Sequence, residues 1–368
     1  MKKKGILNSI FIDGLSGMAL GLFGTLIIGT IVEQLGNYIP GVIGHWLVIF
    51  GTAAKYMTGA GIGVGVASKF KQGPLVTVSS ATAGMVGAYA SKILAGTYII
   101  GAGELVWADD LASAGKAVLL SGFGEPLGAF VAAYVAVVLG NLVAGKTKID
   151  IIVTPLVSIL SGSAVGIILG PPISKFMGWL GELVNINVTE HPVIGGIVVS
   201  VLMGMFLTLP ISSAAIGISM GLSGLAAGAA TIGCCCNMVG FAVASYRENK
   251  FGGFLAQGLG TSMLQMPNII RHPMIWLPEI VASAILGPIG TTLLVINGNA
   301  VGSGMGTAGL VGPLMAYQVM APVDGPAWAV VKIFIMLIIL PAVLSFAISE
   351  GFRKAGWIHF GDQNLTVE

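Results

Sequence analysis

Charge is what this sequence has least of. Only 9% of its 368 residues are Asp, Glu, Lys or Arg, while 55% are hydrophobic. Soluble domains run at about a quarter charged, and a chain this poor in charge cannot cover its apolar residues with a water-facing surface. A soluble globule is excluded, and a polytopic membrane protein embedded in a lipid bilayer follows. The net charge of +2 leaves no basic excess of the kind that nucleic-acid binding uses. Cysteine is nearly absent too: the three present are consecutive, Cys234–Cys236, inside an apolar run. Adjacent cysteines build no disulfide framework, and no His or Cys stands at metal-ligand spacing from them. They read as small buried apolar residues, and neither metal nor cofactor is expected. Long polar stretches are missing as well, so residues 1–368 are expected to form a single membrane-embedded domain with no soluble catalytic module.

Glycine is abundant instead: 56 residues, about twice average usage. Within apolar runs this points to close helix–helix approach, broken helices and re-entrant hairpins. The N-terminal MKKKGILNSIF resembles a signal peptide, but the apolar run continues to about Val32 without a small-residue cleavage site, so a retained first helix over Ile6–Val32 is expected. Further spans are expected at His45–Ser68, Pro74–Leu94, Gly128–Gly145, Ile151–Leu169, Pro192–Leu209 and Trp328–Ile348. Ser79, Ser80 and Thr82 suit packing against protein rather than lipid. Gly170–His191 reads as a longer loop or interfacial helix. The 33 residues of Ala214–Tyr246 exceed the roughly 20 of an upright span and predict a broken helix. Gly287-Pro288 is expected to break Ile280–Ile296, and the glycine-dense Asn297–Pro313 to form a re-entrant hairpin. The fold class is thus all-α, with about ten transmembrane helices and one or two re-entrant hairpins. Lys2–Lys4, Lys69, Lys71, Lys146, Lys148, Arg247, Lys250, Arg353 and Lys354 mark cytoplasmic ends, while Glu104, Asp109 and Asp110 fall in an outer connection; both termini are then cytoplasmic. Lys69-Phe70 and Lys250-Phe251 each close a glycine-rich span, a faint echo of an internal repeat.

The residue most in need of explanation is Glu125, at the mouth of an apolar run that carries no charge until Lys146. Acids so placed mark sites by default, and its neighbours Gly124 and Pro126 interrupt a regular helix, which at membrane depth is tolerated only beside protein or a water-filled cavity. A buried carboxylate there can accept hydrogen bonds from sugar hydroxyls or carry a proton; at a helix start it can equally serve the macrodipole.

Residues Gly122-Phe123-Gly124-Glu125-Pro126-Leu127 resemble the Gly-x-Ser/Thr-Glu-Pro-Leu/Ile motif of the membrane IIC components of the bacterial sugar phosphotransferase system, glucose-superfamily type. The departure is Gly124, where Ser or Thr is usual. In helix count, termini and glycine-rich hairpins the whole chain also resembles the compact, stand-alone IIC-like proteins once described as perfringolysin O regulators. The resemblance implies an EIIC-like fold and a homodimeric carrier in the bacterial cytoplasmic membrane. The motif glutamate would bind the sugar hydroxyl to be phosphorylated, and a separate cytoplasmic IIB protein would supply the phosphate.

Two further groups are candidates for substrate binding. Asn268, Arg271, His272 and Glu279 fall within a dozen residues held by Pro267, Pro273 and Pro278. Arg can clamp an anionic group and His can titrate near neutral pH; an interfacial loop anchored by Trp276 is the plainer alternative. Asn297 and Asn299 flank Gly298 at the start of the glycine-rich hairpin, where they can contact a ligand or simply form a turn. Gly302, Gly304 and Gly306 have no preceding strand and no following lysine, so a phosphate loop is rejected. His45 and His359 read as surface residues. Three functions compete. One is a carrier of a small polar solute, phosphotransferase-coupled or ion-coupled, and another is a membrane sensor of the same fold. The third, a channel or membrane enzyme, lacks a clustered acid, base and nucleophile, so the chain is expected to be a transport component rather than an enzyme.

Overall fold

The computed structural model describes residues 9–94, 97–99, 105–107, 124–209 and 212–365. Glu104, Asp109, Asp110 and the Gly122 and Phe123 positions of the Gly122–Leu127 motif lie outside them, as do Lys2–Lys4. Apart from one small ribbon the described residues form an all-α fold. Six of their helices are long and apolar enough to cross a bilayer, or seven when a bent pair counts as one span. With two shorter apolar helices, Pro74–Ala88 and Pro192–Thr208, the count is compatible with about ten. The chain divides into two compact units, Met1–Met177 and Gly178–Glu368.

In the first unit, α1 (Leu15–Tyr38) is followed by α2 (Val42–Tyr56) and α3 (Thr58–Lys69), bent by 57° to one another. Next come α4 (Pro74–Ala88), α5 (Ala90–Leu94) and an antiparallel ribbon of β1 (Thr97–Ile99) and β2 (Leu105–Trp107). Glycines set the helix spacing. A Cβ on Gly21 of α1 would stand 2.3 Å from the Gly61 carbonyl oxygen, and one on Gly65 would stand 2.2 Å from that of Gly17. Such backbone-to-backbone approach is how helices gain packing where lipid is as apolar as the side chains. Ser79 and Ser80 are buried, and the Ser80 hydroxyl donates to Gly63 O at 3.0 Å. Thr82 is exposed instead, because it stands on the opposite face of α4 from Ser80. Lys55, a lone cation within the second span, pairs with Glu33 of α1.

The first unit continues with α6 (Pro126–Val143) and the first part, to Met177, of α7 (Asp150–Glu190). Helix α7 has 41 residues, roughly 60 Å at the α-helical rise, against a hydrocarbon core of about 30 Å. Of the two alternatives for Gly170–His191, the loop is not found: the helix runs on through Gly170 to Glu190. Pro155, Pro171 and Pro172 lie inside the helix; each removes a donor without ending it, as membrane helices tolerate. The boundary between the two units falls within this helix.

The second unit contains α8 (Pro192–Thr208), α9 (Ser213–Met220) and α10 (Gly224–Ala244). Between α9 and α10 the chain breaks at Gly221, whose φ of +62° suits glycine, so the break expected in Ala214–Tyr246 is present. Then follow α11 (Tyr246–Leu255), α12 (Met266–Arg271) and α13 (Leu277–Thr292). Gly287-Pro288 does not break α13. Gly287 is a contact residue: a Cβ there would lie 2.3 Å from Gly196 O of α8. The Asn297–Pro313 stretch contains the four-residue helix α14 (Ala300–Ser303) and a tight turn, and leads into α15 (Val311–Asp324). Its Gly298 N–H donates to Gly224 O at 3.0 Å, and Thr307 donates to Gly258 O at 2.6 Å. Last comes α16 (Pro326–Lys354). Helix α10 is the buried axis of this unit, and Cys234, Cys235 and Cys236 are fully buried free thiols on it.

Candidate functional site

The sequence candidates separate into three places. Glu125 precedes α6 as its N-cap, with extended backbone (φ −102°). Its Oε1 accepts from Leu127 N at 3.1 Å and its Oε2 from Gly128 N. A helix start leaves such N–H groups without intrahelical partners, and a carboxylate there also meets the positive end of the macrodipole. The half-buried carboxylate thus serves its own helix. Gly124 has φ +71°, and a Cβ there would stand 2.7 Å from Ala88 Cβ and 3.0 Å from Ala88 O, while Glu125 N donates to that same carbonyl at 2.8 Å. The departure from Ser or Thr therefore has a steric cause. Gly124→Ser, which restores the usual motif residue, is expected to lower stability by about 1–3 kcal/mol, read as a drop in the thermal unfolding midpoint of detergent-purified protein.

The Asn268–Glu279 group does not converge. Asn268 is buried, and its amide donates to Gln265 Oε1 at 2.8 Å and Asn364 O at 3.0 Å. Arg271 and His272 are exposed, with His272 Nδ1 3.6 Å from Asp362. Glu279 is fully buried in α13. Trp276 is no headgroup anchor: its indole N–H donates to the buried Asn237 Oδ1 at 2.9 Å. The third group is structural in its contacts. Asn299 caps α14 by accepting from Gly302 N at 3.0 Å, and the Asn297 amide donates to Val295 O at 3.3 Å.

One of these candidates, Asn268, does line a cavity. It measures about 770 Å³ and is walled by Glu248, Asn249, Thr261, Asn268 and Asn364 with apolar Ala256, Met263, Leu264 and Pro267. That volume lies within the usual range of small-molecule sites, about 300–1,000 Å³. The wall depends on the chain returning at 357–365. The Asn249 amide donates to Gln363 O at 2.8 Å and its Oδ1 accepts from Leu365 N at 2.7 Å; the Gln265 amide donates to Gln257 Oε1 and to Gln363 O. Glu248, absent from the sequence candidates, is the acid of this wall. Its side chain is 1% exposed and its Oε1 accepts from Arg353 Nη2 at 2.8 Å. Its Oε2 has no hydrogen-bond partner among the described residues. The apolar face, the amides and the Thr261 hydroxyl form a surface suited to a polyhydroxylated ligand, and the Glu248 carboxylate is buried within the wall.

The family model "Phosphotransferase system, EIIC" matches residues 12–365. The chain belongs to that family. As an EIIC it is a multi-pass membrane transport component of the phosphotransferase system. Among solved structures the EIIC chain is similar to ChbC, the IIC component of the N,N'-diacetylchitobiose-specific phosphotransferase system, with 14% identity over 95% of this chain and 93% of that one, at a TM-score of 0.44. No curated protein sequence matches this EIIC.

Proposed function

We propose that this EIIC is the permease for a sugar or sugar derivative. In this proposal it works as a homodimer in the bacterial cytoplasmic membrane, with both termini inside and phosphate supplied by a separate IIB protein. The family match across nearly the whole chain carries the proposal. The 770 Å³ cavity of the second unit is the proposed substrate pocket, with Glu248 and Asn268 addressing hydroxyls and the Met263–Leu264–Pro267 face packing against the ring. Arg247 and Lys250, in the first half of α11, and Arg353 and Lys354, at the C-terminal end of α16, belong to segments joined by the Arg247–Glu350 and Arg353–Glu248 pairs, and the positive-inside rule assigns this region to the cytoplasm, the compartment of a phosphate donor.

The test is uptake of a panel of radiolabelled sugars by cells expressing the protein. For the cognate sugar, the product inside is expected to be the sugar phosphate, and uptake is expected to stop when the general phosphotransfer proteins are deleted. Continued accumulation of unmodified sugar in the deletion strain sinks the phosphate-coupled proposal.

A further inference from the structure

A second acid of this unit lies deeper than the pocket. Glu279 is fully buried in α13, and neither carboxylate oxygen has a hydrogen-bond partner on another residue among those described. The hydroxyls of Ser345 and Ser349 on α16 are also fully buried and also without partners. Glu279 and Ser345 meet at Gly240, and Ser349 lies one turn along α16 from Ser345. A Cβ on Gly240 of α10 would stand 2.7 Å from Ser345 Oγ and 2.9 Å from Glu279 Cγ, so glycine at 240 is what lets the two side chains meet. Ser345, Ser349 and Arg353 then follow at four-residue steps, which place them on one face of α16. On the other side of the seam the same step runs from Gly240 to Ala244 of α10, and Glu248 lies in α11, beyond the helix break at Ser245. Arg353 joins the two columns by donating to Ala244 O at 3.2 Å and to Glu248 Oε1 at 2.8 Å. A line of polar groups thus leads from Glu248, on the cavity wall, to Glu279.

Buried polar groups are normally hydrogen-bonded. Three with open valences along one seam of a membrane protein need a common explanation, and intramembrane acids mark ion and proton pathways. A hard cation such as Ca²⁺ takes six or more oxygens, whereas the unpartnered side chains of the seam offer one carboxylate and two hydroxyls. A proton takes a single carboxylate oxygen. Other titratable or charged groups near Glu279 or this seam are Cys236 from α10, Glu248 from α11 and Arg353 from α16, with Glu350 beside Arg353. Helix α8 contributes none.

We propose that Glu279 is a membrane-embedded proton-binding carboxyl, and that Ser349 and Ser345 are the relay connecting it to Glu248. Each hydroxyl accepts one proton on its oxygen and releases its own to the next group, with water bridging the turn between them. One proton moves from the cavity to the Glu279 carboxylate, no carbon bond changes and no electron is transferred. The inference does not depend on the identity of the sugar.

Infrared spectroscopy of the purified protein in lipid vesicles, without any sugar, tests it. The wild type is expected to show the C=O band of a protonated carboxyl that titrates with pH and shifts in D₂O. Glu279→Gln should lack the band, and Glu279→Asp should retain it at a shifted frequency. In the Ser345→Ala, Ser349→Ala double variant the band should persist, while its exchange in D₂O slows by about tenfold or more, as expected for loss of two hydrogen-bonding steps. An unaltered band in Glu279→Gln and Glu279→Asp overturns the assignment. A wild-type exchange rate in the double variant overturns the relay. A band that responds to added Na⁺ at fixed pH replaces the proton with a cation. Should Glu279→Gln not fold, the aspartate and double-serine variants still decide.

Discussion

A Gly233→Val protein should fail to accumulate in folded form. A Cβ on Gly233 of α10 would stand 1.7 Å from the Ser200 carbonyl oxygen of α8 and 2.5 Å from its carbonyl carbon. Backbone cannot rotate away as a side chain can, so the helices must part. Helix α8 meets two partners through one stripe of small residues. Gly196 lies against Gly287 of α13, the Ser200 hydroxyl donates to Ser283 O at 2.8 Å, and Gly204 lies against Gly233. Moving α8 off α10 therefore disturbs its contact with α13 as well. Overpacking costs about 1–3 kcal/mol when neighbours can adjust; with backbone on both sides the cost should exceed about 3 kcal/mol, a large part of a typical stability of about 5–15 kcal/mol. The measurement is the monodisperse fraction after detergent extraction, with its thermal midpoint. A Gly233→Val protein as stable as wild type would show that the α8–α10 crossing is looser than described. Gly252→Ala, in an open position, is the control and should be near neutral.

The contrast between those two glycines shows what sequence could and could not convey. That glycine in apolar runs means close helix approach was legible from composition. Which glycines make contact was not, since Gly233 and Gly252 look alike until a partner helix is present. The same limit explains the prolines. Pro171-Pro172 and Gly287-Pro288 have the local chemistry of helix breaks, yet α7 and α13 continue through them. In α13 the glycine is held against α8, a tertiary fact. The break between α9 and α10 was legible because length alone ruled out a single span. The candidate site divides likewise. Asn268 was found because prolines and polar residues cluster around it. Glu248 was passed over because Arg247, Asn249 and Lys250 surround it, which reads as a solvated cytoplasmic end. Only the return of residues 357–365 turns that end into a wall. Glu125 was prominent for the opposite reason, since its motif is local and lies at the start of α6, which its carboxylate caps.

Those two acids make opposite predictions for transport, and the comparison decides where substrate binds. In Glu248→Gln the amide oxygen can still accept from Arg353, but the charge is gone and Oε2 becomes a donor. A hydrogen bond from a ligand hydroxyl to a carboxylate contributes about 1.5–3 kcal/mol, so affinity for the cognate sugar should fall by about tenfold or more. The lost charge also weakens the Arg353 pair, so the thermal midpoint has to be followed beside the Kd; a stability loss with unchanged Kd would leave Glu248 purely structural. Asn268→Ala gives the second arm, removing an amide from the same wall and releasing Asn364, and should also weaken binding. Glu125→Gln should behave differently. Its carboxylate accepts from Leu127 and Gly128 N–H groups, and a glutamine keeps one acceptor, so a stability loss of about 0.5–2 kcal/mol is expected with sugar uptake within about twofold of wild type. If instead Glu125→Gln abolishes uptake while Glu248→Gln binds normally, the pocket assignment is wrong and the substrate site belongs to the first unit, at the motif that the family resemblance picked out. The two results cannot both arise from misfolding, because each variant carries its own unfolding measurement and the acids lie in separate compact units.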